Sequence, residues 1–303
     1  MSEQVGPAAD SSAASTPPQP SVTVVLLNWN GFDDTFACLR SLEALEYARL
    51  NVVVVDNGST EGSAARLHEA FGRIELLRTA TNLGFAGGCN VGIERAIEQG
   101  VDYVWLLNNA TEVASDALSA MLRTALGAPR VGAVGGVLYE FDERDTIQMW
   151  GGGRVDFLSG SCLPFTAPAA ASDVHFVSGA SLLLSVPALE EVGALDERYF
   201  MYWEDTDLSF RLRKAGWSLA IAADSRVYHK GAASTGYGDP AFAYFFNRSA
   251  VRFFAAHGSA PVVPIVLGAT KRLFWRFAGR DWRNFVATFR GAVVGVWDAV
   301  LRR

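Results

Sequence analysis

Val22-Thr23-Val24-Val25-Leu26-Leu27, stopped by Asn28-Trp29-Asn30-Gly31, is the stretch from which the fold is read. A β-branched apolar run without alternation is the pattern of a strand covered on both faces, and the polar stop ends it in a loop. The unit recurs. Asp33 to Leu45 places Phe36, Leu39, Leu42 and Leu45 at helical spacing, and Asn51-Val52-Val53-Val54-Val55 then runs into Asp56-Asn57-Gly58-Ser59-Thr60. Ile74-Glu75-Leu76-Leu77 precedes the glycine-rich loop Asn82 to Asn90, which opens a helix through Ile93 and Ala96. Tyr103-Val104-Trp105-Leu106-Leu107 ends at Asn108-Asn109-Ala110-Thr111. Four alternations predict an α/β protein with a Rossmann-like, mostly parallel sheet, helices on both faces, and a site where the carboxyl ends of the strands gather.

After Val131 the alternation weakens into shorter apolar segments, a Gly151-Gly152-Gly153 triplet and an Ala/Pro-rich loop, the pattern of a mixed sheet shaping an acceptor pocket. Phe176 to Leu184 reads as one strand, and Val186 to Val192 as a helix ended by Gly193. Beyond His229, Phe242 to Phe254 and Asp281 to Leu301 are apolar, basic helical stretches. The first residues, rich in Ala, Ser and Pro, lack a basic segment followed by an apolar one, so they read as a disordered leader rather than a secretory signal.

Half of the 303 residues are apolar, as in a core-forming protein, and no run of about 18 apolar residues predicts a spanning helix. The net charge of −6 argues against a nucleic-acid partner and leaves phosphate recognition to a local site. Cys38, Cys89 and Cys162 form no regular spacing and read as reduced thiols in a cytoplasmic protein, chiefly as small core residues.

Several constellations can carry chemistry. Asp56 at a strand end is an acceptor for a nucleobase NH or a ribose hydroxyl, or else the cap of a helix beginning near Glu61. The Asn82 to Asn90 loop brings backbone close to a ligand and offers amides to a phosphate, or is mere punctuation. Asn108 and Asn109 stand where a cation-dependent enzyme would place carboxylates for Mg²⁺ or Mn²⁺. Glu204, Asp205 and Asp207 enter a helix, where the macrodipole alone would favour them, but flanking aromatics indicate a walled cleft in which a carboxylate acts as general base. His229 ends a short strand; alone it reads as a structural histidine.

Taken in order, Val24 to Asn30, Val55-Asp56-Asn57-Gly58-Ser59, Asn82 to Asn90, Leu106-Leu107-Asn108-Asn109, Gly179-Ala180 and Tyr202 to Asp207 resemble the family-2 glycosyltransferases, and most closely the bacterial branch with dTDP-rhamnose-dependent rhamnosyltransferases. The resemblance covers roughly residues 21 to 255. It implies a GT-A fold plus C-terminal helices, a dTDP- or UDP-sugar donor, a divalent cation, and inversion at the anomeric carbon. The product would belong to a bacterial surface polysaccharide such as O-antigen. The chain then divides into a leader over 1–20, a catalytic domain over 21–255 with a nucleotide-sugar half (21–130) and an acceptor half (131–255), and a basic amphipathic helical tail over 256–303. By position, Asn28, Asp56, Asn57, Gly84, Phe85, Asn90, Asn108 and Asn109 would face the donor. Asp205 would be the general base, and Glu204, Trp203, Gly179 and Ala180 would line the acceptor pocket. His229 would complete the metal site.

One departure bears on that site. The family pattern Asn-Asn-Asp-Thr supplies a carboxylate for the cation, and this chain has Ala110, so cation binding is expected to be weakened or lost. An engineered substitution, a natural enzyme using another ligand, and a pseudoenzyme that only binds nucleotide sugar or glycan compete as explanations. The intact remainder of the site favours the first. Lys271 to Arg303 interleaves aromatics with arginines; these helices either lie on the inner face of the plasma membrane beside a lipid-linked acceptor, or pack on the catalytic domain or a second subunit. A nucleotidyltransferase would need a basic glycine-rich loop after the first strand, which Asn28-Trp29-Asn30-Gly31 is not.

Overall fold

The computed structural model describes residues 19–231 and 238–301. Most of the expected 1–20 leader lies outside them, but the carbonyls of Gln19 and Pro20 accept hydrogen bonds from Arg49 and Tyr47. The opening run is β1 (Val22–Asn28), the third strand in from one edge of a nine-stranded sheet, flanked in parallel by β2 (Leu50–Asp56) and β4 (Tyr103–Asn108), with β3 (Glu75–Arg78) at the edge beyond β2. Register brings the polar strand ends level: Asn28 lies opposite Asp56, Asp56 opposite Arg78, and Leu27 opposite Asn108. Helices α1 (Phe32–Leu42), α2 (Ser63–Ala70) and α3 (Gly84–Glu98) make the crossovers.

The parallel order stops at β4. β5 (Thr111–Val113) and α4 (Ala117–Leu126) follow it, and then β6 (Val131–Glu140), a ten-residue strand where shorter segments were expected. β7 (Ile147–Met149) pairs with β6, and β8 (Gly152–Asp156) with β9 (Ser161–Pro164) in a small second sheet. The strand expected over Phe176–Leu184 is two: β10 (Phe176–Val177) joins the small sheet, and β11 (Ser181–Ser185) runs antiparallel between β4 and β6 in the large one. Ser178-Gly179-Ala180 is the switch between sheets. The sheet is therefore parallel in its first half and mixed in its second. α5 (Val186–Val192) ends at Gly193 as expected, and α6 (Glu204–Lys214) leads into β12 (Ser218–His229). The last residues of β12 pair with β5, setting His229 opposite Thr111.

Three helices close the chain: α7 (Pro240–His257), α8 (Val262–Ala278) and α9 (Trp282–Leu301). The boundary expected after residue 255 falls inside the last turn of α7, and α9 lies along α7. Glycine makes that approach close, since a Cβ at Gly291 would strike the Tyr244 carbonyl, and the ion pair Arg248–Asp298 at 2.7 Å clamps the two helices. Phe253 and Phe254 of α7 are buried against Tyr199 and Trp203. At roughly 1.5–3 kcal/mol for each buried phenylalanine, that aromatic seat fixes the segment leading into α6.

Candidate active site

The carboxyl ends of β1, β2 and β4, the sheet switch at 178–180, residues 201–206 and His229 enclose a cavity of about 750 Å³. That size suits a nucleotide-sized ligand. Of the expected residues it gathers Asn57, Gly84, Phe85, Asn108, Asn109, Ala110, Gly179, Ala180, Trp203, Glu204, Asp205 and His229. Trp29, 43% exposed, and Asp34 also line it and were not assigned in advance. Trp29 directly follows the first strand and Asp34 lies in the first turn of α1, so an aromatic face and an acid near a strand's carboxyl end were legible signals. An open groove of about 880 Å³ between α1 and β3 contains none of the expected site residues.

One wall is hydrogen-bonded largely within itself. Asn28, fully buried, donates through Nδ2 to Asp56 Oδ1 at 2.9 Å and Ser63 Oγ at 2.8 Å, and its Oδ1 accepts from Thr35 Oγ1 at 2.8 Å. Asn109 Nδ2 donates to the same Thr35 hydroxyl at 2.9 Å. Asp56 is also fully buried, its Oδ2 left with only Arg78 Nε at 3.4 Å. It caps no helix, because α2 begins behind Gly62. Asn28 and Asp56, expected beside the nucleoside, therefore lie under the cavity floor rather than in its lining.

The glycine-rich loop is also used internally. Asn57 Oδ1 accepts from Leu83 N, Asn82 Oδ1 from Gly84 N, and the Phe200 carbonyl from Phe85 N, at 2.9, 2.8 and 2.7 Å. These first amides are not the open phosphate cradle expected of them. Gly84 adopts φ 78°, and a Cβ there would collide with the Phe200 carbonyl; Gly88 and Gly92 let α3 settle on Leu27 and Val25 of β1. Asn90 holds Leu195 through Nδ2 to its carbonyl (2.8 Å) and Oδ1 from its amide (3.0 Å), away from the cavity.

At the end of β4, Asn108 Oδ1 accepts from Ala110 N at 2.8 Å in an Asx turn, and Lys230 N donates to the Ala110 carbonyl at 3.0 Å. His229 Nδ1 pairs with Gln148 Oε1 at 2.7 Å, and burial pushes its imidazole down to about 4, so it is neutral at physiological pH. Lys230 Nζ reaches Asp34 Oδ1 at 2.6 Å. The donor set does not fit a protein-held divalent cation: a methyl stands at position 110, Asp34 is engaged by Lys230, and no three His, Cys, Asp or Glu side chains converge among the described residues.

The opposite wall is strained and unsatisfied. Tyr202 and Trp203 are left-handed at φ 66° and 70°, a conformation costing non-glycine residues about 1–2 kcal/mol each. Trp203 is held there by Phe246, Phe253 and Phe254, with ring centroids 5.5, 4.9 and 5.4 Å away. The kink delivers the first two acids of α6 to the cavity. Asp205 Oδ2 accepts from Gly179 N at 2.8 Å, and Oδ1 from Thr206 N at 2.6 Å and Thr206 Oγ1 at 3.1 Å. Burial raises its carboxyl above the ordinary range, and these bonds offset only part of the rise. Glu204 has a buried Oε2 without a partner; burial, then the charge of Asp205, raise it much further. Asp207 turns away. Burial would raise it too, but His257 Nε2 and Arg211 Nε, each at 2.7 Å, bring it below the ordinary range, marking it as structural. Of the cysteines, Cys38 and Cys89 are core residues, while Cys162 lines the cavity.

A parallel sheet with ligand-facing loops, continued by a mixed half that carries a buried acid pair, defines the class: a GT-A glycosyltransferase. Residues 18–247 match the family model "Glycosyltransferase like family 2", and the chain belongs to that family. It is 33% identical over 227 residues to an N-acetylglucosaminyl-diphospho-decaprenol L-rhamnosyltransferase of Mycobacterium tuberculosis, covering 67% of this chain and 73% of the relative. In fold it is similar to a mannosyltransferase of Pyrobaculum calidifontis in complex with GDP-Man and Mn²⁺, with a TM-score of 0.61 at 18% identity over 93% of this chain and 88% of the other. GalNAc-T7 with UDP, GalNAc and Mn²⁺ shares the fold at a TM-score of 0.67 and 15% identity, over 85% of this chain and 51% of that one.

Proposed function

We propose that this glycosyltransferase moves a sugar, with inversion, from a nucleotide diphosphate donor to a hydroxyl of a lipid-linked glycan in the synthesis of a bacterial surface polysaccharide. The donor is dTDP-rhamnose, the sugar named for the mycobacterial relative in the nucleotide form implied by the motifs. The observation that carries the reading is the Glu204–Asp205 pair, two desolvated carboxylates aimed into the 750 Å³ cavity. In the reaction Asp205 takes the proton of the acceptor hydroxyl as its oxygen bonds to the anomeric carbon. The opposite bond, to the donor diphosphate, breaks, and the nucleoside diphosphate leaves with the electron pair. Asn57, Gly84, Phe85, Asn108 and Asn109 position the donor; Gly179, Ala180, Trp203 and Glu204 shape the acceptor side. No step is routed through a cation, for which the donor set does not fit.

Among the described residues no helix is long and apolar enough to cross a membrane. One face of α9 packs on α7, yet Trp282, Val286, Phe289, Val293 and Trp297 form an exposed stripe, joined on α8 by Val266, Phe274 and Trp275. Both alternatives for the tail are therefore combined in the reading: one face packs on the catalytic domain, and the other seats the enzyme on the inner face of the plasma membrane.

The test is sugar transfer from dTDP-rhamnose to polyprenyl-diphospho-N-acetylglucosamine in detergent, with calorimetric titration of dTDP-rhamnose and UDP-sugars with and without Mn²⁺, on this chain and on Ala110→Asp. Turnover by either form supports the reading. Ala110 favours a second one, a nucleotide-sugar-binding pseudoenzyme, and donor binding with no turnover by either form would establish it instead.

A further inference from the structure

Arg272 of α8 is a half-buried cation with no carboxylate partner among the described residues. Its Nε donates to Asn247 Oδ1 at 2.6 Å and its Nη1 to the Gly160 carbonyl at 2.9 Å, both neutral acceptors, and no ion pair includes it. Burial lowers its guanidinium to about 10, the mark of a charge short of compensation. A desolvated arginine without a counter-ion is costly unless a ligand supplies the negative charge.

Its surroundings indicate which ligand. Arg272 lines a pocket of about 380 Å³ with Lys271 and with Arg276, which is paired to Asp281 at 2.8 Å; no acid is itself among the lining residues. On one side this pocket shares Cys162, Phe242 and Phe246 with the catalytic cavity. On the other it includes Trp275, 65% exposed and part of the apolar face of α8 and α9. The order is apolar face, cationic pocket, catalytic cavity. An acceptor made of a prenyl chain, a diphosphate and a sugar has its parts in that same order.

Resting on the proposed transferase reading, we propose that the Arg272 pocket is the subsite for the diphosphate of a polyprenyl-diphosphate-linked acceptor. The prenyl chain enters past Trp275, Arg272 forks onto the phosphate oxygens, and the attached sugar lies beyond Phe246 within reach of Asp205. Lys271 adds a second charge at the mouth.

The experiment is co-sedimentation of the full chain with phosphatidylcholine vesicles that are plain, doped with polyprenyl diphosphate, or doped with phosphatidylglycerol at equal charge. Polyprenyl diphosphate is expected to tighten binding at least about tenfold over plain vesicles. Phosphatidylglycerol should do so much less, and inorganic pyrophosphate in solution should compete. Arg272→Gln should remove the increment and leave binding to plain vesicles, thermal unfolding and calorimetric donor affinity unchanged; Arg272→Lys should restore part of it. A folded Arg272→Gln that keeps the increment, or an equal response to phosphatidylglycerol, overturns the proposal. If Arg272→Gln does not fold, failure of pyrophosphate to compete for the wild-type chain overturns it. Because donor titration is read separately, loss of the transferase reading shows as absent donor binding with the diphosphate increment intact.

Discussion

The two walls of the cavity are built on opposite principles. On the donor side, Asn28, Thr35, Asn57, Asn82 and Asn109 give their hydrogen bonds to one another and to the backbone, and the one buried oxygen left over, Asp56 Oδ2, lies outside the cavity lining beside Arg78. On the acid side, Tyr202 and Trp203 hold left-handed conformations, and Trp203 Nε1 and Glu204 Oε2 are buried without partners. A satisfied polar network fixes a surface, whereas an unsatisfied one is poised to change when substrate or a proton arrives. Most of the polar residues of the strand ends are therefore scaffold, and the reactive capacity is concentrated at the kinked entry to α6.

The sharpest way to break this comparison is Asp205→Asn. Transfer should fall by roughly 10²–10⁴-fold while donor affinity measured by calorimetry is unchanged. In the wild-type chain the acid limb of the rate profile should lie above the ordinary carboxylate range, since the raised Asp205 must be ionised to act. A fall no larger than that of a donor-wall variant would remove the distinction between the walls.

On the donor side, Asn28→Ala withdraws the amide that bonds the buried Asp56 carboxylate, so urea unfolding should register a loss of about 2–3 kcal/mol. The position of Ala110 gives the next effect. Ala110→Asp places a carboxylate beside neutral His229, and calorimetry should then show Mn²⁺ tightening donor binding by about tenfold, or ~1.4 kcal/mol. Equal affinities with and without Mn²⁺ in that variant would mean that the turn cannot hold the ion even when complete.

The smallest effect is on stability. Glu204 has a folded pKa above its unfolded one, so the folded state binds the proton more tightly. The unfolded chain releases that proton first, so the contribution to stability is lost as pH rises from the ordinary carboxylate range toward the folded value. Glu204→Gln should gain about 1 kcal/mol near pH 7.5 by calorimetric melting, with the gain vanishing on acidification. Asp207 has the opposite sign: its pairing with His257 and Arg211 contributes stability at neutral pH that is lost as pH falls through its lowered folded value.

Much of this architecture was legible because it is local. Uninterrupted β-branched runs specify buried strands wherever the chain goes next, and the polar stops after Leu27, Val55 and Leu107 locate the site. The pairing of Glu204 and Asp205 with flanking aromatics was readable for the same reason. The tail over 256–303 was expected to be helical, but the start of helix α8 was not legible, since Val262-Val263-Pro264-Ile265-Val266 is a β-branched stretch of weak helical propensity that tertiary packing overrides. Nor was the break between β10 and β11, because an apolar run is equally suited to either sheet.

Residue pattern alone specifies the strand units, the loops that carry polar groups, the acid pair and the family. What those groups do depends on the folded arrangement. A glycine that admits a ligand and a glycine that admits a neighbouring backbone are the same residue, and Gly84 serves the Phe200 carbonyl. Likewise Asp205, Asp207 and Asp56 are chemically identical carboxylates. Whether each is poised, paired or sealed depends on desolvation and on partners distant in the chain, and these exist only once the fold has brought them together.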